Sequence, residues 1–84
     1  MIQLGRVSLA ELNEYRQVND AAIAAWAAKR RSEEDVMALR RCVAQAEASL
    51  YDFERFAELD VLFHSLLARA SGNRVAVIVT EVLG

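Results

Sequence analysis

Apolar residues recur along this chain at helical intervals, and serine, aspartate and asparagine punctuate them where helices should begin. "SLAE" sets Ser8 three residues before Glu11, the spacing of a capping box. Leu9, Leu12, Tyr15, Val18, Ala22, Ile23 and Trp26 then recur at helical spacing, which predicts a first helix running to about Lys29. "RRSEED" repeats the signal with Ser32 and Asp35, and Val36, Leu39, Val43 and Ala46 carry a second helix to about Leu50. Asp52 in "YDFERF" caps a third, which ends at "SGN", where Gly72 suits the left-handed C′ position and Asn73 can cap the next segment.

The last segment, "RVAVIVTEVL", is harder to read. Its β-branched residues alone favour a strand. A lone strand would leave its backbone groups unpaired, so residues 74–83 are read as a fourth helix. With no proline and only three glycines in 84 residues, the pattern predicts an all-α antiparallel bundle of about four helices forming a single domain over 1–84.

Composition narrows the function classes. A 55% apolar content argues against disorder, and a net charge of −2 provides no global field toward nucleic acid or an anionic membrane. The single cysteine, Cys42, cannot form an internal disulfide, which fits a reducing cytoplasm. No basic and apolar leader opens the chain, and no apolar run approaches the ~20 residues of a membrane span. The basic runs at 29–31 and 40–41 are separated by Glu33, Glu34 and Asp35, so a solvated helix end is favoured over phosphate contact.

The chemistry gathers in the third helix. At ~100° per residue, Leu59, Leu62, Leu66, Ala70, Phe63, Phe56 and Leu67 fall on one apolar arc. Glu54, Glu58, Ser65 and Arg69 lie opposite, on the expected wet face. Asp60 and the only histidine, His64, stand at the edge of the arc, with Ala57, Val61 and Ala68 beyond them. The i, i+4 spacing lets a carboxylate and an imidazole converge on one point, a donor pair suited to a divalent first-row ion. By spacing alone, a hydrogen-bonded pair or a solvated edge is the commoner arrangement. No nucleophile–base constellation and no glycine-rich phosphate loop is present, so an enzyme is not expected.

"FAELDVLFHSLLARASGN" strongly resembles the corresponding segment of the FCD domain, the C-terminal effector-sensing domain of FadR-type GntR transcription regulators. "SLAELNEYR" resembles that domain's start and "AAKRRSEEDVMALRRCVAQAE" its second helical unit, so the likeness covers nearly the whole chain. It implies a helical bundle that binds a small organic acid and alters the DNA affinity of a neighbouring winged helix. In many members an aspartate and three histidines hold a divalent metal, and Asp60 and His64 match the aspartate and the first histidine. The family's other two ligands lie beyond Gly84, so Zn or Ni is expected to bind weakly here. Arg16 matches the arginine that commonly meets the effector carboxylate. Where a glutamate often occurs one turn later, this chain has Asn19 and Asp20. Asp20 either fills that role or pairs with Arg16 as a structural salt bridge.

The resulting expectation is the effector-sensing portion of such a regulator, in the cytoplasm and without its winged helix. Apolar stripes that missing helices would cover imply self-association as a homodimer or larger assembly. The alternative is a purely structural self-association module in which Asp60 and His64 pair with each other and no ligand binds.

Overall fold

The computed structural model describes residues 5–83, which form four helices and, among the described residues, no strand. They are α1 (Leu9–Arg30), α2 (Glu33–Ala48), α3 (Phe53–Ala70) and α4 (Arg74–Leu83). Each begins at a residue whose side chain accepts the orphan amides of the first turn. Ser8 Oγ accepts from the Glu11 amide at 3.1 Å, while Glu11 Oε1 accepts from the Ser8 amide at 3.4 Å. Ser32 and Asp35 repeat the reciprocal pair at 3.1 and 2.9 Å. Asp52 caps α3, and Asn73 Oδ1 caps α4 by accepting from Val75 and Ala76.

The last segment is helical in spite of its β-branched content. The Asn73 cap starts it, and its Ala76 and Val77 join a core made by α1 and α3. Tertiary burial outweighs the few tenths of a kcal/mol per residue by which valine and isoleucine disfavour a helix.

The four helices do not share one central core. α3 packs against each of the other three, whereas among the described residues α2 touches neither α1 nor α4. α2 lies antiparallel on one flank of α3, where the buried Cys42 thiol donates to the Leu59 carbonyl at 3.3 Å. On the other flank Ile23 of α1, Ala68 of α3 and Ala76 of α4 meet, with Trp26, Leu67 and Val77 packed around them.

This arrangement corrects the single apolar arc expected for α3. Leu59, 1% exposed, faces α2, while Ala68, at 0%, faces α1 and α4 from nearly the opposite side of the helix. Two residues assigned to the arc, Phe56 and Leu62, remain 40% and 43% exposed. A helix with neighbours on two sides has two buried stripes, and on the second the buried contact is made by a small residue, Ala68, which permits close approach. Asp60 and His64 precede Ala68 on that second stripe, at intervals of four.

The α3–α4 turn is tied to the end of α1. Gly72 adopts φ +68°, the left-handed conformation its position requires. Arg30 lies over the Trp26 ring, 6.0 Å from its centroid, and donates to the Ser71 carbonyl at 3.1 Å. Ser71 is fully buried, and its hydroxyl donates to Ala68 and accepts from the Asn73 amide.

Candidate functional site

Beyond the Ile23–Ala68–Ala76 contact, the same three helices enclose a groove of about 440 Å³. Its lining reflects helical periodicity. α1 contributes Arg16, Asn19 and Asp20, which precede Ile23 on one stripe, and α3 contributes Asp60, Val61, His64 and Ser65. α4, running the opposite way, supplies Thr80, Glu81 and Leu83 one to two turns past Ala76. Small side chains bring the helices together at one end, and longer polar ones line the space at the other. The volume falls within the ~300–1,000 Å³ range of small-molecule sites.

The Nδ1 of His64 lies 2.8 Å from the Asp60 carbonyl oxygen, which can only accept, so in the neutral ring Nδ1 is the donor and Nε2 is left as the acceptor. A histidine that coordinates a metal is held the same way, with its other nitrogen donating to a carbonyl or carboxylate. The Asp60 carboxylate is 3.7 Å from Nδ1, too long for a hydrogen bond, and therefore retains its acceptor capacity.

Neither side chain is deeply buried; His64 is 40% and Asp60 62% exposed. Sequence reasoning set the pair among apolar neighbours, where desolvation would force it to find a partner. In the fold, water reaches both groups through the open groove, so that argument lapses. Asp60 and His64 provide two donors, one oxygen and one nitrogen. No cluster of three or more potential metal-ligating side chains occurs among the described residues.

Arg16 and Asp20 line the same groove but form no ion pair with each other or with any other group among the described residues. The structural salt bridge offered by their i, i+4 spacing is not made. Both charges are left facing the cavity. Four lining residues escaped sequence reasoning: Ser65, assigned to the wet face, and Thr80, Glu81 and Leu83 on the ambiguous last segment. Placing α4 against α1 and α3 is what brings Thr80 and Glu81 in. The Thr80 hydroxyl oxygen is buried and has no hydrogen-bond partner among the described residues.

An all-helical domain with a groove between three of its helices, lined by both charged and apolar side chains, is the class that the fold defines. The sequence profile of the FCD domain matches residues 11–83, and the chain belongs to that family. The family is associated with effector binding in GntR-type regulators and not with catalysis. No curated protein and no solved structure matches the chain. Among the described residues no helix is long and apolar enough to cross a membrane.

Proposed function

We propose that the chain is the effector-sensing portion of a GntR/FadR-type transcriptional regulator, and that the α1–α3–α4 groove receives a small carboxylate. One observation carries this reading. Arg16 and the Asp60–His64 pair, remote in sequence, line a single cavity of about 440 Å³ and leave the guanidinium, the Asp60 carboxylate and His64 Nε2 without a hydrogen-bond partner among the described residues. Arg16 suits an organic acid because its planar fork can donate two parallel hydrogen bonds to one carboxylate.

Asp60 and His64 fit a divalent ion in donor chemistry, through a free carboxylate and an imidazole Nε2 oriented by the Nδ1 contact. Such an ion would supply a Lewis-acidic anchor for the effector's oxygen atoms. Two protein donors hold a metal weakly, so the residues themselves account for most of the recognition. Arg16 fixes one end of the ligand, and Val61 and Leu83 supply apolar walls.

Regulation arises from the groove's construction. Its walls belong to three helices, so a bound effector favours the bundle arrangement in which those walls are correctly spaced. A DNA-binding partner sensitive to that arrangement would shift by the difference in effector affinity between the two states. The purely structural alternative relied on a buried Asp–His hydrogen bond, and the exposed 3.7 Å separation gives it no support.

Calorimetric titration with ZnCl₂ or NiCl₂ tests the metal assignment. Weak binding is expected for the native chain and none for Asp60→Ala/His64→Ala, with helical circular dichroism unchanged. Equal heats from both proteins would remove these residues from the site.

A further inference from the structure

The charges lining the groove are unsuited to a purely anionic ligand. One guanidinium, Arg16, faces three carboxylates, those of Asp20, Asp60 and Glu81. None of the three is engaged by an arginine or lysine among the described residues, and Arg16 pairs with none of them. A dicarboxylate could satisfy Arg16 with one end, but its other end would meet acidic side chains of like sign. A divalent ion on Asp60 and His64 would offset part of that charge, yet Asp20 and Glu81 come from other helices and would still face the ligand.

We infer that the effector is a zwitterion, a small carboxylic acid that also carries an ammonium group. Its carboxylate meets Arg16 and its ammonium is received by Asp20 and Glu81. This rests on the proposed function and narrows its ligand class. The carboxylate end then contacts α1 through Arg16, and the ammonium end spans Asp20 of α1 and Glu81 of α4. Because Glu81 and Asp60 are open to water, solvent and salt screen their fields, and the discrimination is of order tenfold, not thousands.

Matched probes of equal chain length read this directly: 5-aminopentanoate, pentanoate and pentanedioate, titrated calorimetrically into the 84-residue chain with and without one equivalent of ZnCl₂. The aminocarboxylate is expected to bind about tenfold more tightly than pentanedioate in both conditions. Asp20→Asn/Glu81→Gln should bring that ratio close to one, whereas Arg16→Gln should weaken all three probes. Circular dichroism checks that each variant retains its helices, and single substitutions at Asp20 and Glu81 serve if the double variant does not. Pentanedioate binding equally well or better would overturn the zwitterion assignment while leaving a carboxylate site in place. A preference that survives the double variant would overturn the roles given to Asp20 and Glu81. If no probe binds with or without zinc, the carboxylate-sensing function and this inference both fall.

Discussion

Gly72 and Arg30 show how single residues set the geometry of the groove at a distance from it. A Cβ on Gly72 would stand 3.2 Å from Arg30 Cδ, on a backbone already at φ +68°. L-residues pay about 1–2 kcal/mol for that conformation. The crowding is of lesser weight, since an exposed arginine side chain can shift. Gly72→Ala is therefore expected to lower stability by about 1–2 kcal/mol in a urea melt, with an unchanged m-value. Arg30 itself spans the end of α1 and the turn that launches α4. Its loss should loosen α4, and with it Thr80 and Glu81, before it affects the α2–α3 contact. Hydrogen exchange on Arg30→Ala checks this: amides of α4 should lose protection while those around Leu59 retain it.

At the scale of elements, the helix boundaries were legible because side-chain caps are local. Ser8, Ser32, Asp52 and Asn73 each announce a start, and each accepts the amide two or three residues on. Neighbours are not a local property. A wheel of α3 alone could not tell that Ala68 rather than Leu62 would be buried, since that depends on α3 lying between α2 and the α1–α4 pair. The site shares this division. Arg16, Asp60 and His64, expected from sequence as candidates, all line the groove, but Thr80 and Glu81 could not be expected there, as nothing in "IVTEV" distinguishes groove from surface. The second stripe suggests a decisive substitution. Ala68→Leu inserts three heavy atoms where α3 meets Ile23 and Ala76, and should cost about 1–3 kcal/mol as the helices are forced apart. Leu59→Ala, on the opposite flank, leaves a cavity against α2 and should cost about 2–5 kcal/mol. Their thermal shifts can be similar, but only Ala68→Leu should also alter ligand binding, since its contact borders the groove.

The whole molecule has more apolar surface than its own helices cover. Each of α1, α2 and α4 uses one side against its neighbours, and α4 shows the consequence most plainly. Ala76, Thr80 and Leu83 turn toward α1 and α3, whereas Val75, Ile78 and Val82 form a stripe on the other side, 65%, 60% and 46% exposed. Their spacing of three and four residues is that of a helix face meant to be packed. Tyr15 and Val18 leave a similar uncovered strip on α1. Single exposed apolar residues are ordinary on a protein surface, but stripes at helical spacing on two elements favour association. The isolated chain is therefore expected to self-associate, with sedimentation equilibrium giving a weight-average mass that rises with concentration above its 9.4 kDa. Charge at the centre of the α4 stripe should reverse this. Ile78→Glu places a carboxylate where association would bury it, at a cost of several kcal/mol per buried charge, yet leaves it solvated in the single chain. The variant should sediment closer to 9.4 kDa and keep its helical content. A native chain that remains a single copy at high concentration would overturn the self-association and show that the exposed stripes of α1 and α4 are tolerated in water.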